Sequence, residues 1–387
     1  MSAQPGTEPI VSVVIPTHNR AAMLVDAIDS VLNQTLQSTE VIVVDDRSTD
    51  DTEARVRGYG GRVRYFRTDR PGAGNARNIG ARHATGRYLT FLDSDDLLYP
   101  YALELEAAVL DRQKDIGLVC AEMSGFNAEG MIERYHLKTY HRSAYRDPAI
   151  TYESIFERSE RLGDIVAVPT VLLQEEQDAA AHRVYFGNIF DTYLLNLVIC
   201  QNTVMLRRAV ALENERSTAM RFWEEVDYLL RITRRHAVGF INVPTYQLRY
   251  HDGQLSTLAV ASGRYVWMRK QQELLRVIKR HAFADGQYYR ARQRQIDAHL
   301  AHLHRAVAVP MLLQQGSPNR HRRWAHYARH YLKRCARYGH PARALALLSR
   351  TPSPLRATAV RLLESCRLVS RTLLWTLKLS RRSRLAH

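Results

Sequence analysis

Three polar clusters in the first hundred residues stand directly after short apolar runs, and each carries groups able to do chemistry. Pro16-Thr17-His18-Asn19-Arg20 follows the first run, Asp45-Asp46-Arg47-Ser48 the second, and Asp93-Ser94-Asp95-Asp96 a later one. Carboxylates crowded on a short turn are hard oxygen donors of the kind that Mg(II) and Mn(II) prefer, and those ions keep open positions for phosphate oxygens. The alternative at Asp93 to Asp96 is a turn capping a helix that begins near Leu97, because Asp and Ser are good caps. A rim this acidic repels a bare phosphate, and a divalent cation resolves that conflict. A further pair, Glu224-Glu225, opens a segment in which Phe222, Val226, Leu229 and Leu230 recur at helical spacing. The acidic residues then stand at the helix start, away from the apolar stripe; a solvated N-terminus favoured by the helix dipole is the alternative.

Positioning such clusters requires repeated strand-helix-strand units. The β-branched runs 11–15, 40–44, 63–66 and 88–92 read as strands. The segments 21–32, 50–57 and 75–84 read as helices, the second with Ser48, Thr49 and Asp50 as cap candidates. This alternation predicts an α/β fold, a mostly parallel Rossmann-like sheet with helices on both faces. Ligands of such sheets lie outside the carboxyl ends of the strands, where the three clusters stand. Gly72-Ala73-Gly74-Asn75-Ala76-Arg77 lacks the third glycine of a dinucleotide loop, so its glycines are read as a tight turn into the helix carrying Arg77 and Asn78. From 134 to 183 periodicity weakens, which predicts long loops and short helices forming an acceptor-shaping lid. Regular signals return at 189–199, at the strand-like 203–206 and at the helix 224–236. Beyond His251-Asp252-Gly253 everything reads as helical.

The ordered strings 11–20, 41–50, 72–80 and 91–96 resemble, in order and spacing, the family 2 glycosyltransferases, which are inverting, nucleotide-sugar-dependent enzymes of the GT-A fold. The resemblance is strong over the first hundred residues or so, patchy to about 255 and absent beyond. It implies that Pro16 and Thr17, with Asn19 and Arg20 in the same loop, pack around the nucleoside and that Asp46 accepts a hydrogen bond from the base. Arg77 would lie near base and phosphates, Asp93 beside Ser94 would contact the ribose, and Asp95 would ligate Mn(II) or Mg(II). The second member of the family's acidic pair is the catalytic base, which places that role on Glu225, a glutamate where aspartate is usual. Leu248-Arg249-Tyr250-His251 resembles the late segment that closes over the diphosphate, making His251 a metal ligand or leaving-group partner. A UDP-sugar is the family's commonest donor; a glycan or lipid-linked acceptor in polysaccharide assembly fits the chemistry.

The 387 residues carry 45% hydrophobic and 24% charged side chains, ordinary globular material too long for one simple core. Net charge is +16, yet residues 261–387 hold 27 Lys/Arg against 4 Asp/Glu, while residues 1–260 carry −7. The expected division is a catalytic domain over 1–255 and a basic helical domain over 256–387. Along 361–384, an apolar stripe (Leu362, Cys366, Val369, Leu373, Leu377) and a basic one (Arg367, Arg371, Lys378, Arg382) suit an interfacial helix on an anionic membrane, with Trp375 as anchor, or an ordinary packed helix. No nucleic-acid module is visible. The N-terminus shows no secretory leader, and no apolar run reaches the roughly 20 residues of a membrane span. The expected location is cytoplasmic, peripheral on the cytoplasmic membrane face. Cys120, Cys200, Cys335 and Cys366 fit neither a zinc knuckle nor a disulfide framework and read as buried thiols. Two rivals stand beside the enzyme. A nucleotidyltransferase would bring a lysine-rich phosphate loop near the first strand. A non-catalytic sugar-nucleotide scaffold draws on Glu225 and on Asn214-Glu215-Arg216-Ser217, where the family has Gly-Gly.

Overall fold

The computed structural model describes residues 9–254, 263–313, 318–338, 345–346, 349 and 359–360. Two compact units divide the chain, Met1–Gln254 and Leu255–His387. In the first, one sheet contains β1 (Val11–Thr17), β2 (Thr39–Asp45), β3 (Val63–Arg67), β4 (Tyr88–Phe91), β5 (Leu97–Leu98), β6 (Ile116–Asn127), β7 (Gly130–Glu133), β8 (Arg158–Arg161), β9 (Arg183–Gly187), β10 (Met205–Arg207) and β11 (Ala237–Arg249). Its order is β3-β2-β1-β4-β10-β6-β11-β9-β8, with β5 on β11 and β7 on β6. The run β3-β2-β1-β4 is parallel, β10 is antiparallel to both neighbours, and β11 again runs parallel to β6. This is the α/β arrangement expected of a GT-A domain.

Every residue of β1 is buried, as befits a parallel strand covered on both faces. Helix α1 (Ala21–Leu32) presents Leu24, Ala27, Ile28 and Val31 to the core at helical spacing. Helices α2 (Thr52–Arg57), α3 (Ala73–His83) and α4 (Ala102–Arg112) follow. Asp50 anchors two helix starts, accepting from the Ala21 amide at 3.1 Å and the Thr52 amide at 3.2 Å. Helix α3 lies so close to β1 that a Cβ on Gly80 would stand 2.2 Å from a Val14 methyl.

The expected strands and helices of the first hundred residues form within about two residues of their expected ends. The segment after Asp96 differs, because Leu97–Leu98 is a short strand against β11 and the next helix opens only at Ala102. Between 134 and 183 lie short helices, Leu137–Tyr140, Tyr152–Ile155, Leu162–Ile165 and Thr170–Glu175, with β8 among them. The long strands β6 and β11 carry no periodic signal, since nearly all of β6 and most of β11 are buried on both faces.

The second unit contains the helices Gly263–Ala282, Gly286–Leu312 and Pro318–Arg337. Asp285 caps the middle one, accepting from the Gln287 and Tyr288 amides at 2.8 and 3.1 Å. Ala301, Val307, Ala308, Met311, Leu312, Ala328, Leu332 and Cys335 build its core. Among the described residues no helix is long and apolar enough to cross a membrane. Cys120, Cys200 and Cys335 are free and buried. The stripes of 361–384, with Cys366 and Trp375, lie outside the described residues.

Candidate active site

The carboxyl ends of β1, β2 and β4 bring the three polar clusters together. After β2 the two adjacent aspartates divide into separate roles. Asp45 is fully buried and structural: its Oδ1 accepts the Ser48 amide at 2.8 Å and its Oδ2 the Tyr65 hydroxyl at 2.7 Å. Asp46 accepts the Gly72 amide at 2.7 Å on Oδ2, while Oδ1 is buried without a partner. Thr17 Oγ1, at the end of β1, is likewise buried and unpartnered. The two residues are joined by the Asp46 amide on the Thr17 carbonyl at 2.8 Å, and unmet oxygens of this kind suit a ligand that brings its own donors. Asn19, at φ 50°, ties the first two loops together, accepting the Thr49 amide at 2.8 Å and donating its own amide to Ser48 Oγ at 2.9 Å. Its side chain therefore shapes the loop holding Thr17. Pro16 lies within β1, in register with Val44.

After β4, Asp93, Asp95 and Asp96 present carboxylate oxygens all within 4.8 Å of one another. Both Asp96 oxygens are engaged, by the Arg249 amide and the Tyr246 hydroxyl, each at 2.7 Å. Burial first, then the charges of Asp95 and Asp93, push the Asp96 carboxyl well above the usual carboxylate range. Asp96 is thus the anchor of the turn. Asp95 Oδ2 meets Arg20 Nη1 at 2.6 Å and His251 Nε2 at 3.1 Å. Two or three carboxylates with one imidazole make a donor set that fits Mn(II) or Mg(II), and Arg20 offsets part of their charge. Ser94 is buried in the same turn.

Arg77, on α3, is buried between two acids: Nη2 donates to Asp93 Oδ1 at 2.6 Å and Nη1 to Glu224 Oε1 at 3.2 Å. Burial disfavours its charge, but Asp93 and Glu224 outweigh that and hold its pKa above the usual arginine value. Arg216 completes the clamp, donating to Glu224 Oε2 at 3.0 Å while stacking 4.2 Å from the Tyr228 ring centroid. Glu224, 8% exposed, is accordingly not a solvated helix start. Its neighbour Glu225, half-buried at the same helix start, has its carboxyl pushed up to about 7, by burial first and the Glu224 charge second, against the pull of Arg77 and Arg216. Trp223, immediately before, adopts a left-handed φ of 61°.

Of the residues expected at the site, Asp93, Asp95, His251, Arg20 and Arg77 are brought together by the structure. Sequence reasoning assigned no individual role to Arg216 or Arg249, each named only within a longer segment, and did not single out Asn202 or Tyr246. Arg249 holds the acidic turn with Nε on the Asp95 carbonyl at 2.8 Å, and Asn202 donates to Asp93 Oδ2 at 3.1 Å. The signal for Arg216 was its place in the segment 214–217, whose chain packs on α3 through paired hydrogen bonds with Asn78 at 2.8 and 2.9 Å.

Residues 12–169 match the family Glycosyl transferase family 2. An uncharacterized glycosyltransferase of Rickettsia typhi is 40% identical over 114 residues, covering 29% of this chain and 36% of that protein. The poly(ribitol-phosphate) beta-N-acetylglucosaminyltransferase TarP of Staphylococcus aureus is 46% identical over 101 residues, 24% of this chain and 31% of that one. This chain thus spans about a third of the length of those relatives. A mannosyltransferase from Pyrobaculum calidifontis, solved with GDP-Man and Mn2+, superposes with a TM-score of 0.48 at 16% identity, covering 93% of this chain and 88% of that one.

Proposed function

Since residues 12–169 form a glycosyl transferase family 2 domain, we propose that this protein transfers a sugar, with inversion, from a nucleoside-diphosphate sugar to an acceptor hydroxyl. The observation that carries the reading is the buried Asp93–Arg77–Glu224 bridge. It ties the acidic turn, where a donor would lie, to the helix start that bears a carboxylate titrating near neutrality. Thr17 and Asp46 offer their unmet oxygens to the base and nucleoside, and Asp93 faces the ribose. Asp95 and His251 would hold Mn(II) or Mg(II), which stabilises the charge of a departing diphosphate. Glu225 Oε takes the acceptor hydroxyl proton as that oxygen attacks the anomeric carbon opposite the leaving group, so an α-linked donor gives a β-linked product. A UDP-sugar is the default donor, and a glycan or lipid-linked molecule the acceptor. The basic second unit would hold the enzyme at an anionic membrane surface on the cytoplasmic face.

The test is a thermal-shift titration with UDP, GDP, CDP and dTDP, each with and without Mn(II), on wild type and Asp95→Asn. A ligand at 100 times its dissociation constant adds about 2.7 kcal/mol. One nucleotide should stabilise the wild type only with metal, and Asp95→Asn should abolish that shift. Folded protein that responds to none of them would defeat the reading.

A further inference from the structure

Outside the acidic cleft, the first unit holds a cavity of about 390 Å³ whose walls include Glu122, Tyr135, Lys138, Tyr152, Tyr185 and Asn242. Its acids are already held. Glu122, 2% exposed, accepts the Tyr152 hydroxyl at 2.6 Å and the Leu137 amide at 3.2 Å. Glu153, also in the wall, accepts the Tyr185 hydroxyl at 2.9 Å. The tyrosine hydroxyls are thereby turned to the carboxylates, and the rings remain as walls.

Two groups keep their donors for something else. Asn242 falls where β11 loses register against β6, between Ile241 and Pro244. An irregularity of this kind re-aims a side chain out of the pleat. The Asn242 amide has no hydrogen-bond partner among the described residues, and it lines the cavity. Lys138 makes no ion pair among the described residues and stands 4.3 Å from the Tyr152 ring centroid.

Aromatic walls, an amide, an ammonium and carboxylate oxygens with spare lone pairs match a hydroxylated ring, with C–H faces on the tyrosines and hydroxyls on the polar groups. Two carboxylates against one ammonium disfavour an anion. The volume lies at the small end of ligand pockets, space for roughly one or two sugar rings. The helix Leu137–Tyr140 links this cavity to the reaction centre. Lys138, on that helix, lines the cavity. At the head of that helix, His136 Nε2 meets the hydroxyl of Tyr250, the residue before His251, at 2.7 Å.

We propose that this cavity is a distal glycan subsite, which holds an uncharged sugar residue of the acceptor while the acceptor's reacting end lies near Glu225. The proposal rests on the glycosyltransferase reading for the word acceptor, but the sugar site itself does not need it. The experiment probes an array of neutral and acidic oligosaccharides with wild type, Asn242→Leu, which replaces the amide by an apolar side chain of similar shape, and the milder Asn242→Ala and Lys138→Met. Circular dichroism and the nucleotide-Mn(II) thermal shift serve as controls for fold and donor site. Wild type should retain neutral glycans with or without nucleotide. Asn242→Leu, or Asn242→Ala if the leucine does not fold, should lose at least tenfold in retention with the nucleotide shift unchanged. Three results would overturn the subsite: no glycan retained by wild type, equal retention by the folded variants, or retention confined to acidic glycans. Glycan retention without any nucleotide response would instead remove the glycosyltransferase reading and leave the sugar site standing.

Discussion

At the scale of single residues, Glu225 carries the sharpest consequence. In its proposed role as general base Glu225 must be deprotonated, and burial beside Glu224 raises this carboxyl to about 7. Transfer activity should therefore be low at pH 6, rise through a midpoint near 7 and level off above it, a limb read from kcat against pH. Glu225→Gln should remove about 10²–10⁴ of the rate with nucleotide binding intact. The same raised pKa has a cost in stability. A carboxyl whose folded value exceeds its unfolded value near 4.5 contributes fully only below that value and loses the contribution as pH rises through about 7. Above pH 7 the inactive glutamine variant should thus melt higher than wild type, and equal melting at pH 8 would count against the desolvated base. The chemistry-bearing residues were legible because strand ends and local motifs mark them. Their partners were not: Arg77 and Glu224 are 147 positions apart, and nothing local pairs them.

Elements were legible where their faces differ. Helix α1 alternates buried and open sides, and β1 to β4 are short β-branched runs between turn residues. By contrast, β6 and β11 are covered on both faces and carry Glu122 and Pro244 inside, so neither period nor composition marks them. Their parallel pairing places Arg249 and Tyr246 against the acidic turn, a contact with Asp96 that nothing local to either residue marks. Glycine has a positional meaning at one helix-strand contact. Alanine is intrinsically better than glycine in a helix by about 1 kcal/mol. At Gly80, however, the added Cβ would meet Val14 Cγ1 at 2.2 Å, and Val14 is fully buried. The steric term should win, with a cost at the upper part of the roughly 1–3 kcal/mol range of overpacking. Gly80→Ala should therefore lower the melting temperature by several degrees, and Val14→Ala in the same chain should recover part of that loss. A variant that melts as high as wild type would mean that α3 can move off β1, taking Arg77 with it.

At the scale of the whole molecule the governing fact is charge: −7 over residues 1–260 and +23 over 261–387. In the helix Pro318–Arg337, Ala325, Ala328, Leu332 and Cys335 are buried, while Lys333, Arg334 and Arg337 are exposed. With a core on one side and these cations on the other, that helix carries its charge at the surface of the unit. Each Lys or Arg near an anionic bilayer contributes about 1 kcal/mol, an attraction that fades within a Debye length. That length is about 10 Å at 0.1 M salt and about 3 Å at 1 M. The full chain should therefore co-sediment with vesicles containing phosphatidylglycerol at 0.1 M salt and leave them at 1 M. Vesicles of phosphatidylcholine alone should not retain it at either concentration. Retention that survives 1 M salt would point to an inserted apolar face instead of surface charge. Equal retention on neutral and anionic vesicles would sever the basic unit from the membrane, leaving its charge to the acceptor or to another anionic partner.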